Sequence, residues 1–336
     1  MRLDELSARG RAFLGTRYAI LGGAMSWLSE RHLVSAISNA GGFGVIATGS
    51  LSPALLREEI RATFARTGKP FGVNVIVMHP ELDALIAACI EEHVSHVVLA
   101  GGLPPRVVTE RLKHAGIKVL AFAPTLPVAQ KLARQGIDAL IIEGMEAGGH
   151  IGPVATGVLA QEILPHLRDV PVFVGGGIGR GDAIALYLGM GAAGCQLGTR
   201  FVCARESIAH PLFKQAFIRA NARDAQPSVQ LDPEFPVIPV RALANRATQR
   251  FVEAQRDTIA RYRAGELNQK EAQLAIEHFW AGALRRAVID GDVENGSLMA
   301  GQSVGMVTRE QSTAEIIAEL VEQAIGTIAE TGGRQR

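Results

Sequence analysis

A histidine within a glycine-rich turn is the feature of this sequence best suited to chemistry. The turn covers residues 143–152, Glu-Gly-Met-Glu-Ala-Gly-Gly-His-Ile-Gly, and follows the apolar run Ala139–Ile142, which predicts a buried strand. Histidine transfers protons near neutral pH, and glycine lets a backbone approach a ligand closely. Because α/β enzymes carry their chemistry at the carboxyl ends of strands, we predict that His150 is catalytic. The alternative is that it only orders its own loop.

Two carboxylates, Glu143 and Glu146, share the turn with this histidine. Either could orient His150 or raise its basicity. Each could equally be a solvated or helix-capping carboxylate, and the sequence leaves both interpretations open.

A regular alternation of strand and helix patterns must position this turn. Between each pair of candidate strands lies a helical pattern such as residues 54–65 or 106–114. Such alternation predicts a parallel sheet, and eight repeats in about 200 residues predict a (β/α)8 TIM barrel. A doubly wound dinucleotide-binding fold is the alternative, but neither glycine cluster has the Gly-x-Gly-x-x-Gly spacing that it requires. The candidate strands are Tyr18–Leu21, Phe43–Ile46, Phe71–Val77, His96–Leu99, Lys118–Phe122, Ala139–Glu143, Pro171–Val174 and Ala193–Leu197.

Glycine-rich loops follow the seventh and eighth candidate strands, at residues 175–182 and 196–201. In many barrels these two loops form a phosphate site, since backbone N–H groups and a helix amino terminus favour an anion. The hydroxyl of Thr199 could add a donor. These glycines could also serve only to make tight turns, but two such loops in the expected positions predict a phosphorylated ligand.

From Ile208 onward the alternation stops. Residues 1–207 are predicted to form the barrel. Residues 208–290 are polar and largely helical in pattern, and they are predicted to form an inserted or appended helical cap. Residues 291–336 contain a glycine-rich loop and a closing helix over 312–327, which Ser312 or Thr313 could cap.

Composition excludes several classes of function. The 336 residues include 34 basic and 33 acidic side chains, for a net charge of +1, and only 5% are aromatic, so no nucleic-acid surface is expected. The three cysteines, Cys89, Cys195 and Cys203, lack metal-binding spacing and predict free thiols, with no metal site. No signal peptide and no run of about 18 apolar residues is present, which predicts a cytoplasmic protein without membrane contact.

Taken together, these motifs resemble the nitronate monooxygenase (2-nitropropane dioxygenase) superfamily, and within it the flavin-dependent enoyl-ACP reductase II branch. The resemblance covers nearly the whole chain and preserves motif order. It is carried by Met25-Ser26-Trp27, residues 39–44, residues 69–74, residues 143–152, Gly175–Ile178, residues 198–201, Gly291-Asp292 and residues 297–302.

The resemblance implies an FMN-binding barrel in which His150 is the active-site histidine. The FMN phosphate would lie on Gly176, Gly177, Gly198 and Thr199, and Asn74 would lie near the flavin. The Met25 backbone and the loop from Ala300 to Gln302 would lie beside the ring. The full set of implied cofactor-binding residues is Gly23, Met25, Asn74, Glu143, Gly148, Gly149, Gly176, Gly177, Gln196, Gly198, Thr199, Ala300, Gly301 and Gln302.

The first strand departs from the family pattern of proline, glutamine and two glycines. Ala19, Gly22, Gly23 and Ala24 stand in those places, so a glutamine side-chain contact is absent and the pocket wall near Gly22 is expected to be unusual. Backbone contacts to a flavin would survive this change.

Three activities follow from the resemblance and the motifs. The first is an enoyl-ACP (enoyl thioester) reductase using NADH or NADPH, acting on a small-molecule or acyl-carrier-linked substrate. The second is a nitronate monooxygenase using O2, to which an NADH:quinone reductase is related. The third is a flavin-free barrel that binds a phosphorylated ligand as an assembly module. A homodimer is consistent with any of these.

Overall fold

The computed structural model describes residues 2–232, 235 and 237–333. Within these residues there are eleven strands: β1 Ile20–Gly22, β2 Val45–Ala47, β3 Gly72–Ile76, β4 His96–Ala100, β5 Lys118–Phe122, β6 Ala139–Glu143, β7 Gly149–His150, β8 Val172–Gly175, β9 Gly194–Leu197, β10 Ala225–Pro227 and β11 Val240–Leu243.

The described helices are α1 Leu3–Leu6, α2 Ala8–Leu14, α3 Arg31–Asn39, α4 Pro53–Phe64, α5 Leu82–Glu91, α6 Arg106–His114, α7 Leu126–Arg134, α8 Thr156–Ile163, α9 Gly181–Gly189, α10 Thr199–Val202, α11 Pro211–Arg219, α12 Arg246–Arg263, α13 Gln269–Val288 and α14 Thr313–Gly333. Three short 3₁₀ turns cover Leu164–His166, Ala222–Asp224 and Gln302–Met306. In this part of the chain, no helix combines the length and the apolar character needed to cross a membrane.

Eight parallel strands form the barrel, in the order β1-β9-β8-β6-β5-β4-β3-β2. A parallel bridge between Leu21 and Phe43 brings the two end strands together, with the Gly22 amide donating to the Phe43 carbonyl at 2.9 Å. The prediction of a (β/α)8 TIM barrel is therefore confirmed. All eight predicted strands are present, although the first two begin two residues later than expected.

Alternate residues of the strands belong to two different hydrophobic clusters, as strand geometry requires. Val97 and Leu99 pack outward with the surrounding helices. Val98 belongs instead to the cluster inside the barrel, with Leu120 and Phe173. The helix α2 closes the amino end of the barrel, because Leu14 is fully buried in the inner cluster and Phe13 packs against it.

The segment after the barrel combines helices with a small sheet that the sequence did not predict. Strands β10, β11 and β7 pair antiparallel in that order, and the helices α12 and α13 pack beside them. Asn245 and Asn268 cap these helices by accepting from the amides of Thr248 and Glu271. Since β7 is Gly149–His150 itself, this sheet joins the histidine turn to the cap.

The closing helix α14 begins as predicted but extends to Gly333 rather than ending at 327. Ser312 and Glu315 satisfy each other's backbone amides, at 3.2 and 2.6 Å, so Ser312 provides the predicted cap. The helix packs mainly on α9 and completes the ring of helices.

Candidate active site

A cavity of about 380 Å³ opens at the carboxyl ends of the barrel strands. This is the position at which barrels of this architecture bind ligands. Twelve of the predicted site residues line it: Gly23, Met25, Asn74, Glu143, Gly148, Gly149, His150, Gly176, Gly177, Gln196, Gly198 and Thr199. Their individual contacts with a cofactor remain predictions.

The two glycine-rich loops form one side of the cavity and supply hydrogen-bond donors. Gly176 and Gly177 have φ angles of 98° and 71°, a backbone conformation that favours glycine. The N–H groups of Gly177, Gly198 and Thr199 have no acceptor among the described residues. Unpaired backbone donors that converge on a cavity suit an anion.

The hydroxyl of Thr199 adds a further donor. Its oxygen accepts the Gly301 amide at 2.9 Å, which leaves the hydroxyl hydrogen free to point toward another acceptor. Side-chain-free glycines, unpaired N–H groups and a free hydroxyl hydrogen together fit a phosphate group such as that of FMN.

The histidine turn forms the opposite part of the lining, and the cap holds it in place. Within β7 and β11, His150 pairs with Val240 and Gly149 with Arg241. The amide of Ile151 donates to the Pro239 carbonyl at 2.9 Å. His150 itself is exposed, so its imidazole is accessible from the cavity and from solvent.

The buried guanidinium of Arg241 fixes the beginning of the same turn. Its Nε donates to the Met145 carbonyl at 2.9 Å and its Nη1 to the Ala225 carbonyl. Burial lowers the pKa of Arg241, an effect that the nearby Glu146 carboxylate opposes. The sequence analysis missed this residue; a lone arginine within the apolar run Val240–Leu243 is the signal that could have identified it.

Glu143 lies half-buried in the cavity wall and accepts a hydrogen bond from Gln196 Nε2 at 3.1 Å. Burial raises the pKa of its carboxyl group to about 7, while the Gln196 hydrogen bond and the charge of a protonated His150 act in the opposite direction. Among the described residues that line the cavity, only Glu143 and His150 have ionisable side chains.

Glu146 has a different role from Glu143. It accepts from the Thr156 amide at 2.9 Å and from the Thr156 hydroxyl at 2.8 Å, at the first residue of α8. Of the two alternatives left open for Glu146, the structure supports the helix-capping carboxylate.

The loop from Ala300 to Gln302 lies behind the cavity wall rather than in it. A Cβ atom at Gly148 would lie 2.6 Å from the Gly301 nitrogen, so only glycine fits there. The Gln302 amide donates to the Glu146 carbonyl at 2.9 Å. The loop therefore supports the histidine turn, while its neighbours Met299 and Ser303 line the cavity.

The residues of the first-strand departure lie partly in the cavity wall and partly outside it. Gly22 is not among the lining residues, and a Cβ atom there would meet Ile37 Cδ1 of α3 at 2.6 Å. Gly22 therefore faces the surrounding helix rather than the cavity, and the expectation of an unusual pocket wall near it stays a prediction. Gly23 and Ala24 do line the cavity.

Other residues considered from the sequence lie outside this site. All three cysteines are buried and free, and burial raises the pKa of the thiols of Cys89, Cys195 and Cys203. Arg200 lies 3.1 Å from Glu319 and Arg205 lies 2.9 Å from Glu315, so both arginines make ion pairs.

Comparison with known proteins identifies the family. The sequence profile of nitronate monooxygenases matches residues 8–88 and 82–323. The chain belongs to the nitronate monooxygenase family. Members of this family are oxidoreductases with FMN as their typical cofactor, so the chain is an oxidoreductase, and its two glycine-rich loops agree with that cofactor.

Three relatives illustrate the range within the nitronate monooxygenase family. FabK from Thermotoga maritima has a TM-score of 0.86 and 35% identity, with 97% of this chain and 98% of that chain covered. A (3aS,4S,5R,7aS)-5-hydroxy-7a-methyl-1-oxo-octahydro-1H-indene-4-carboxyl-CoA dehydrogenase of Rhodococcus jostii is 28% identical, with 95% and 96% covered. A probable nitronate monooxygenase of Bacillus subtilis is 26% identical, with 89% and 93% covered.

Proposed function

We propose that this protein is an FMN-dependent reductase of enoyl thioesters that takes its electrons from NADH or NADPH. The observation that carries the proposal is the composition of the cavity. Its lining is apolar and glycine-rich, and His150 and Glu143 are its titratable groups among the described residues. Such a lining suits an uncharged thioester better than an anionic substrate.

The likeness to two proteins of thioester metabolism supports this choice. FabK, named as an enoyl-ACP reductase II, has 35% identity to this chain. The Rhodococcus jostii relative is named for a CoA thioester. Exposed apolar side chains that line the cavity, Met78 and Ile238, offer a surface for an acyl chain.

The protein supplies binding, orientation and a proton. FMN, when bound, would supply hydride transfer to and from carbon. The N–H groups of Gly177, Gly198 and Thr199 would hold its phosphate. Reduction of an enoyl thioester requires a proton at the α-carbon in addition to a hydride, and His150 would deliver that proton because it is exposed at the cavity.

The first test is anaerobic reduction of the FMN-loaded protein with NADH and with NADPH, followed by crotonyl-CoA. We expect one nicotinamide to bleach the flavin absorbance and the enoyl thioester to restore it. Rapid bleaching without reoxidation by crotonyl-CoA or by a longer enoyl thioester would overturn the thioester proposal and direct the search to quinones.

Nitronate oxidation is the second candidate, because the family profile and the Bacillus subtilis relative carry that name. His150 would then anchor the nitronate anion or act as the base for a nitroalkane. No lysine or arginine is among the described lining residues, so an anionic substrate would have only His150 as a cationic partner. Oxygen uptake with propyl-2-nitronate, from a flavin that neither nicotinamide bleaches, would establish this candidate instead.

A further inference from the structure

Glu143 and Gln196 meet at the base of the cavity across a strand that offers no side chain. Glu143 ends β6 and Gln196 lies in β9, with β8 between them. In β8 the intervening residue is Gly175, which is paired with both Glu143 and Gln196. A Cβ atom at Gly175 would lie 3.4 Å from Glu143 Oε2 and 3.6 Å from Gln196 Nε2. Both are ordinary van der Waals distances, so Gly175 lies directly beside the pair and adds neither a side-chain charge nor a side-chain hydrogen bond to it.

Few groups near Glu143 would stabilise a negative charge on its carboxyl group. Gln196 donates one hydrogen bond to it and is uncharged, Gly175 of β8 contributes no side chain, and Phe122 of β5 is apolar. Glu146 is turned toward Thr156. His150 is the one group of opposite charge acting on Glu143 among the described residues, and it is exposed to solvent.

A ligand that fills the cavity covers Glu143 and removes the water that still solvates it. Removing water from a carboxylate that lacks a close cation favours its protonated form. Without a ligand, burial already raises the pKa of the carboxyl group to about 7. A further rise in this pKa on ligand binding therefore falls within the pH range in which the protein can be studied.

We propose that Glu143, joined to Gln196 across Gly175, takes up a proton from solvent when FMN binds, so that the affinity for FMN falls as the pH rises. The inference rests on the proposed flavin site and adds a property that the family assignment does not contain. In the bound state the protonated carboxyl group offers the cavity a hydrogen-bond donor. Glu143 thus acts as a positioning residue for the cofactor, separately from the role of His150.

The test is a titration of flavin-stripped, full-length protein with FMN at pH 7.5 and 8.5, followed by flavin fluorescence. The FMN phosphate is fully ionised at both values, since its second pKa is about 6. We expect the Kd of the wild type to rise about eightfold between these values. Glu143→Gln should show less than a twofold change, and His150→Gln should retain the eightfold change because its imidazole is not the linked group.

Four outcomes would overturn the inference. A wild-type Kd that is constant with pH, or an equal pH dependence in Glu143→Gln, would exclude Glu143 while leaving the flavin site intact. Loss of the pH dependence in His150→Gln would mean that His150, and not Glu143, is the group whose protonation is linked to FMN binding. If FMN does not bind at either pH, both the flavin site and this inference are wrong.

A second measurement needs no variant, in case Glu143→Gln does not fold. Calorimetric titration of the wild type with FMN at pH 8, in buffers of different ionisation enthalpy, gives the number of protons taken up. We expect close to one proton per FMN. A value near zero would contradict the inference.

Discussion

The two ends of the barrel both bury a titratable side chain, and burial acts on each in a different setting. At the amino end, His96 is 2% exposed, with its Nε2 3.0 Å from the Phe13 carbonyl and its ring packed edge-on against Phe13 and Phe43. Burial lowers its pKa to about 4. At the carboxyl end, Glu143 lies in the wall of an open cavity, and burial raises the pKa of its carboxyl group to about 7.

The difference lies in what surrounds each group. The amino end is filled by side chains from the helix α2 and the strands, so His96 is held neutral and serves packing. The carboxyl end is built from glycines, which leave backbone donors and titratable groups facing a cavity. The same physical effect, burial, therefore keeps the packed His96 neutral at one end and raises the pKa of the Glu143 carboxyl group at the other.

The largest expected difference between the two ends of the barrel is in catalysis, and it is tested by replacing His150. We expect His150→Ala to lower turnover of an enoyl thioester by two to four orders of magnitude, since general acid catalysis contributes about that much, with a small change in FMN affinity. The matched control is His114→Ala, because His114 is an exposed histidine of α6 away from the cavity. If His150→Ala turned over the enoyl thioester at the wild-type rate, His150 would not be the proton donor.

The amino end should respond to acid through His96. Its pKa is about 4 when folded and about 6.5 when unfolded, so between these values the unfolded chain binds a proton that the folded protein does not. Stability from this group is therefore fully present above pH 6.5 and is lost as the pH falls toward 4.

We expect the free energy of unfolding to fall by about 2.5 kcal/mol more in the wild type than in His96→Gln when the pH changes from 7 to 4.5. Urea unfolding of both proteins at the two pH values measures the difference. Identical losses in the two proteins would mean that His96 is not the group responsible.

Two glycines, one at each end of the barrel, would separate the effect of backbone strain on stability from its effect on FMN binding. Gly177 lies in the cavity with φ of 71°, and Gly191 lies before β9 at the amino end with φ of 101°. We expect an alanine at either position to lower the free energy of unfolding by about 1–2 kcal/mol, because both conformations are left-handed. Only Gly177→Ala should also weaken FMN binding, by about tenfold, because relief of the strained backbone would turn the Gly177 N–H, one of the unpaired donors, away from the ligand. Equal FMN affinity in the two variants would contradict the proposed phosphate site.

The smallest expected effect concerns Asn74, at the carboxyl end of β3. Asn74→Ala should raise the Kd for FMN about fivefold, as expected for one lost hydrogen bond. Asn39→Ala is the control, because Asn39 ends α3 on the opposite side of the barrel and bonds to Thr67. Fluorescence titration of both variants would show whether the Asn74 amide contacts the cofactor; an unchanged Kd would exclude it.

The barrel could be predicted from the sequence because its pattern is local. Apolar runs such as Ala139–Ile142 are buried on both faces, and they alternate with helical patterns at regular spacing. The small sheet could not be predicted in this way, since β7 is two residues long and its partner Val240 lies far along the chain. Hydrophobic periodicity carries no information about such pairing.

The site was predictable to the extent that its residues follow strands. Glu143 ends a predicted strand, His150 lies in the turn that follows it, and the glycines of the two glycine-rich loops follow two further predicted strands; all of them line one cavity. The roles of Glu146 and Arg241 depend on hydrogen bonds to Thr156 and Met145, which connect separate segments. Resemblance to a family likewise gave no indication that the loop from Ala300 to Gln302 lies behind Gly148.

The pairing of His150 with Val240 joins segments that the ribosome releases at different times during synthesis. All eight barrel strands lie before residue 198, so they leave the ribosome before β11 does. Until Val240 emerges and pairs, the histidine turn lacks the strand that fixes it. The histidine turn of the nascent chain can therefore reach its final backbone pairing only after β11 has been synthesised.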